Sequence, residues 1–173
     1  APSDWKVLGG APLESSHVDG DRIQYEIGES DPMSTYLFSF VAGKFETQTE
    51  NPGLFNMEFL YRETDSAKVK SSVIPVFELH QKSIDFLKDY TQYDFPFQKL
   101  DFAAIPGFQY GGMEHVGAIQ YRQSALFLDE TATENQQLSR AKLIAHETAH
   151  MWFGDLVTMD WFNDVWMKEV FAN

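Results

Sequence analysis

The chain has 173 residues, 43% hydrophobic and 15% aromatic, with 13 Lys and Arg against 26 Asp and Glu for a formal charge of -13. That much apolar side chain excludes a disordered chain and suffices for one cored domain or pieces of two, while the acidic excess argues against nucleic acid as a partner. With no Cys, disulfides, thiolate metal sites and a cysteine nucleophile are removed, and the compartment stays open.

In chain order, Ser16 to about Phe45 reads as strand and turn. Asp19-Gly20 marks a tight turn, Arg22 to Ile27 alternates, and Thr35 to Ala42 is aromatic-rich and β-prone. Glu46 to Gly53 is polar and ends in Asn51-Pro52-Gly53, which suits a linker or long turn, and a domain boundary is expected near residue 55. Met57 to Arg62 alternates as a strand. After Ser71-Ser72 a helical period places Val76, Leu79, Ser83 and Leu87 on one face, with Pro75 near its start and an end before Phe95-Pro96. Leu100 to Ile105 and Val116 to Tyr121 read as short buried strands. No apolar run approaches the roughly 18 to 20 residues that span a bilayer. The N-terminus also lacks the build of a signal peptide, so a soluble chain is expected, although a signal could have preceded it.

Thr131 followed by Glu134 fits a capping box, which predicts a helix from Ala132 or Thr133 to Phe153, stopped by Gly154. Its second half is apolar nearly all round and should lie inside a domain. A second helix is expected from Asn163 or Asp164, carrying Trp166, Glu169 and Val170.

The first of these helices contains His146-Glu147-Thr148-Ala149-His150, the pattern H-E-x-x-H. Residues i and i+4 differ by roughly 40° in azimuth and about 6 Å along the axis, so both imidazoles can meet one ion. Zinc takes imidazole nitrogens and carboxylate oxygens, and a catalytic site keeps three protein ligands plus water. Glu147 leaves the helix about 100° from His146, away from the ion but within reach of its water, which suits a general base. The pentapeptide arises by chance in about one such chain in a hundred, and a buried helix whose polar residues satisfy one another would look the same. Glu169, separated from His150 by eighteen intervening residues and in an apolar setting, supplies the missing carboxylate.

With Glu169 in place the chain resembles the gluzincin metallopeptidases, and the spacing is similar to that of the M1 aminopeptidase family. His146 to Thr158 meets H-E-x-x-H-x-W-F-G-x-x-V-T, and Trp166 to Ala172 meets W-x-x-E-x-F-A. The resemblance implies one Zn2+ per chain held by His146, His150 and Glu169, with Glu147 as catalytic base. Gly111-Gly112-Met113-Glu114-His115 resembles the family's G-x-M-E-N exopeptidase motif, which implies that these residues bind substrate and that Glu114 receives the free α-amine of a peptide. Three departures stand out: His115 where Asn is usual, Lys168 where Asn is common and Val170 where Gly is common. Imidazole cannot reproduce the paired donor and acceptor of an amide, so His115 alters the contact to substrate backbone.

The implied fold class is α+β. Residues 1–55 would be the C-terminal part of an N-terminal β-rich domain, and 56–173 the first half of a thermolysin-like catalytic domain. The remainder of the enzyme would complete the fold, so this segment alone is expected to have little activity. The implied function is a zinc metallopeptidase that removes N-terminal residues from peptides. The alternative is a zinc-stabilised pseudopeptidase or peptide-binding module, which would not need Glu147 as a base. Among the other polar residues, His17 and His80 read as non-ligating. Asp155 reads either as a carboxylate orienting His150 or as a solvated loop acid. The Trp152, Trp161 and Trp166 cluster reads as core packing, and Tyr110 and Tyr121 are candidate lining for a side-chain pocket.

Overall fold

The computed structural model describes residues 1–173. In chain order the strands and helices are β1 (Lys6–Gly9), β2 (Leu13–Asp19), β3 (Arg22–Ile27), β4 (Phe40–Gly43), β5 (Glu46–Glu50), β6 (Met57–Tyr61), α1 (Ser66–Thr91), β7 (Asp101–Ile105), β8 (Gly112–Met113), β9 (Ala118–Arg122), α2 (Gln123–Leu126), α3 (Glu134–His150) and α4 (Trp166–Ala172). Helix and sheet are mixed, in keeping with α+β. Two antiparallel ribbons, β1 with β4 and β2 with β3, stand beside a five-stranded sheet of order β5-β6-β7-β9-β8.

The centre of that sheet is parallel, because α1 carries the chain from β6 to β7 and loop β8 from β7 to β9. A parallel centre needs both faces covered, and residue parity shows what covers each. Phe59, Phe102, Ile119 and Tyr121 join Val76, Phe77, Ile84 and Ile144 in the main core under α1 and α3. Their strand neighbours Leu60, Ala103 and Ala118 pack on the other face against Leu8 and Val41 of the β1–β4 ribbon. Phe59 sits at the middle, its ring against Phe77, Phe102 and Phe127.

Several elements differ from the sequence expectation. Of the linker or long turn expected over Glu46 to Gly53, Asn51-Pro52-Gly53 stays outside any strand, but Glu46–Glu50 is strand β5, antiparallel to β6 from Glu46↔Tyr61 to Glu50↔Met57. Its polar composition is that of a solvent-facing edge strand. Helix α1 begins at Ser66 rather than after Ser72, because the Asp65 side chain accepts from the backbone N–H groups of Ala67 and Lys68. Pro75 therefore lies inside the helix, not near its start. The strand expected over Thr35 to Ala42 begins only at Phe40, since Thr35–Leu37 forms a 3-10 turn closed by Leu37 N–H on the Ser34 carbonyl.

The capping box of α3 is Thr133 with Gln136, not Thr131 with Glu134: Thr133 Oγ1 accepts from Gln136 N–H and Gln136 Oε1 accepts from Thr133 N–H. Thr131 is taken by Asp129, to which it donates both N–H and O–H. The helix ends at His150, three residues before the expected stop, and Gly154 turns the chain at φ 135°. The two helices are less enclosed than expected. Ala145 is exposed, as are Trp166, Met167, Val170 and Phe171 of α4, because no element of this chain packs on that side. Trp161 and Trp166 are likewise exposed, and only Trp152 joins the core.

Candidate metal centre

One turn of α3 stacks His146 and His150, and their Nε2 atoms lie 3.1 Å apart. After the Gly154 turn and a 3-10 turn at Phe162–Asp164, α4 returns Glu169 to the same point. Glu169 Oε2 stands 3.3 Å from His146 Nε2 and 3.6 Å from His150 Nε2. Zinc bonds of about 2.0 to 2.2 Å at the tetrahedral angle place donor atoms about 3.3 to 3.6 Å apart. The two carboxylate-to-imidazole distances fall in that range and the His146–His150 distance just below it, so the three side chains group zinc-type donors around one point. His150 Nδ1–H donates to the Phe153 carbonyl at 3.0 Å, which leaves the Nε2 lone pair pointing at the shared point. His146 Nδ1 is buried and makes no hydrogen bond.

Glu147 is buried on the side of α3 that faces β8. A Cβ on Gly112 would collide with its carboxylate, so the glycine at this edge strand makes the space that Glu147 fills. Burial, reinforced by the Glu114 and Glu169 carboxylates and opposed by Lys168, pushes Glu147 up to about 8. Glu114 follows β8 directly, and its carboxylate, that of Glu147 and a ring nitrogen of His150 all lie within 4.8 Å of one another. Burial raises the Glu114 carboxyl, but His150 and the Lys168 ammonium outweigh it and hold the group below the ordinary value.

The structure thus brings together His146, His150, Glu169, Glu147, Glu114 and Gly112. Gly111 is exposed, with its carbonyl accepting from Arg122 N–H, and Met113 pairs with Gln120 across β8 and β9. His115 spends Nδ1 on the Leu37 carbonyl at 2.9 Å, and burial lowers its pKa. His17 is exposed on β2, and His80 is buried and satisfied, so neither approaches a metal. Tyr121 is not pocket lining: it is fully buried, with its hydroxyl on His80 Nε2 at 2.9 Å. Tyr110 is exposed near the start of β8.

Asp155 matches neither expectation. It is buried, not solvated, and neither carboxylate oxygen has a hydrogen-bond partner; only its backbone N–H reaches the His150 carbonyl. Burial first, then Glu114, push its carboxyl well above the ordinary value. Two further residues enter the site without a sequence signal for it. Lys168 donates to Glu114 in a buried ion pair and lies 3.4 Å from Glu169 Oε1. Tyr36, from the 3-10 turn before β4, sets its ring 5.1 Å from the Lys168 ammonium. The Lys168 substitution was visible as a departure from Asn, but its partner lies 54 residues earlier, beyond any local pattern.

A model of the peptidase family M1 domain matches residues 76–173. The chain is 38% identical over 167 residues to "Probable aminopeptidase 1" of Sulfurisphaera tokodaii, covering 96% of this chain and 21% of that protein. It is 34% identical over 167 residues to "Leucyl aminopeptidase" of Saccharolobus solfataricus, with 96% and 21% covered. To "Glutamyl aminopeptidase" of Sus scrofa it is 35% identical over 175 residues, with 99% and 18% covered. The chain therefore spans about a fifth of the length of the curated relatives it matches. No helix is long and apolar enough to cross a membrane. With the family model running from mid-α1 through both histidines to Glu169 and beyond, this chain belongs to peptidase family M1.

Proposed function

We propose that the protein carrying this chain is a zinc-dependent aminopeptidase acting on peptides with a free N-terminus. The observation that carries the reading is the triangle of His146 Nε2, His150 Nε2 and Glu169 Oε2 at 3.1, 3.3 and 3.6 Å. One zinc ion bound by these three residues would supply a Lewis acid for the scissile carbonyl and an acidified water. Around it the chain's own carboxylates divide the work. Glu147, ionised once a cation offsets its neighbours, takes a proton from the attacking water and returns it to the leaving amine. Glu114, immediately after the edge strand β8, receives the substrate's α-ammonium through a charge-assisted hydrogen bond. Gly112 leaves room for the Glu147 carboxylate beside β8, and Gly111, Met113 and His115 belong to the segment along which substrate lies.

We infer further that residues 1–55 are the end of a β-rich domain and 56–173 the first half of a thermolysin-like catalytic domain, with β5 bridging the two. The test uses the full-length protein. Elemental analysis is expected to find one zinc per chain, lost in a His146→Ala, Glu169→Ala double variant. Glu147→Gln should keep zinc and lose turnover of leucyl p-nitroanilide. Full zinc in the double variant, or near-normal turnover in Glu147→Gln, would overturn the reading.

A further inference from the structure

The carboxylate proposed to receive the substrate's ammonium already binds one. Lys168 Nζ donates to Glu114 Oε1, and the two side chains are only 9% and 4% exposed. The aliphatic stem of Lys168 runs over Gly154, where an added Cβ would stand 3.3 Å from Lys168 Cβ and Cδ. The stem is therefore held in a fixed course. Its ammonium ends among Glu114, Glu169 Oε1 at 3.4 Å and the ring of Tyr36 at 5.1 Å. An ammonium flanked by carboxylates and an aromatic face is bound as a cationic ligand would be.

We infer that Lys168 is a specificity-determining residue: it occupies one oxygen of Glu114 and competes there with the α-ammonium of an incoming peptide. The inference rests on the reading of Glu114 as the amine anchor. Two ammonium groups on the two oxygens of one carboxylate repel each other in a buried, poorly screened setting. Substrate must therefore share Glu114 or displace Lys168 from it. Without the lysine charge, a buried carboxylate would be left unpaired, and the peptide's ammonium would become its natural partner. Lys168 thus weakens recognition of the free N-terminus while keeping Glu114 satisfied in the empty site.

The experiment uses the full-length enzyme at matched zinc content, with kcat and KM measured on leucyl p-nitroanilide. Lys168→Met keeps the stem over Gly154 and removes only the charge, and Lys168→Asn removes both. Each is expected to lower KM about ten-fold, the effect of one charge-assisted hydrogen bond, with a much smaller change in kcat. Lys168→Arg, which keeps the cation, should retain the KM of the unaltered enzyme. A merely structural lysine would instead give loss of zinc or kcat in the Met variant, with KM unchanged or raised. KM that fails to fall in both uncharged variants, while Glu114→Ala raises it, would overturn competition by Lys168 and leave the anchor standing. KM unmoved by Glu114→Ala would overturn the anchor, and the competition with it.

Discussion

Glu147 fits against β8 only because residue 112 is glycine: a Cβ there would overlap the Glu147 side chain from Cγ to the carboxylate. Glu147 is thus positioned by an element outside its own helix. Gly112→Ala should leave zinc content near normal, since the added Cβ meets Glu147 and none of His146, His150 and Glu169. It should shift the carboxylate by about 1 Å, and misplacement of that size costs about a hundred-fold in turnover. Measuring kcat beside zinc content checks this, and a fully active Gly112→Ala enzyme would show that turnover does not depend on the place Gly112 gives Glu147.

Metal uptake should be coupled to a proton on Glu147. Burial and the neighbouring carboxylates push this group to about 8, so at pH 7 the metal-free protein holds it mostly protonated. A divalent cation at the His146, His150 and Glu169 point favours the ionised form, so binding drives the proton off below about pH 8 and releases none well above it. Calorimetric titration of zinc at pH 7, in buffers of different protonation enthalpy, should count about one more proton released by the unaltered protein than by Glu147→Gln. Equal counts would mean that Glu147 is already ionised before metal arrives.

What could be read from the sequence follows the range of the interactions involved. His146 and His150 lie one helical turn apart, so their convergence is a property of local geometry and is legible in the sequence. Glu169 was legible through spacing and an apolar setting. Strand β5 was not, because Glu46-Thr47-Gln48-Thr49-Glu50 has the composition of a loop and becomes a strand only by pairing with β6. The Thr133–Gln136 box is not legible, because Thr131 is withdrawn from capping by Asp129 in the folded turn and the sequence expectation rests on Thr131 with Glu134. The Lys168–Glu114 pair and the place of Tyr36 depend on segments far apart in the chain, where no periodicity carries information.

Asp65 starts α1 by accepting from two backbone N–H groups at 2.9 and 3.3 Å. Asp65→Ala leaves both without this acceptor and should cost about 1 kcal/mol, whereas Asp65→Ser should recover most of it. Denaturant midpoints for the three proteins check the order. An Ala variant as stable as the unaltered protein would mean that packing of α1, not its cap, sets where the helix begins.

The aromatic core should carry a pH dependence of its own, from His80. It is fully buried, stacked on Phe102 at 4.0 Å, with Nδ1 against the Val76 carbonyl and Nε2 against the Tyr121 hydroxyl. Burial lowers its pKa from 6.5 to about 4, partly offset by the Val76 carbonyl. The folded protein therefore keeps this ring neutral where the unfolded chain protonates it. Above about pH 6.5 neither state binds the proton and the contribution of His80 is fully present. Between about 6.5 and 4 the unfolded state binds more protons, so stability falls as pH falls, by about 1.4 kcal/mol per unit and about 3 kcal/mol in all. Below about 4 the folded state also takes the proton and the loss levels off. His80→Gln removes the titrating group along with the ring stack, so it should be less stable at pH 7 and lose less on acidification. Other carboxylates titrate in both proteins, and the difference between their unfolding free energies isolates His80. That gap should narrow from pH 7 to 4 in the full-length protein; a gap constant across the range would show that His80 keeps an ordinary pKa in the folded core.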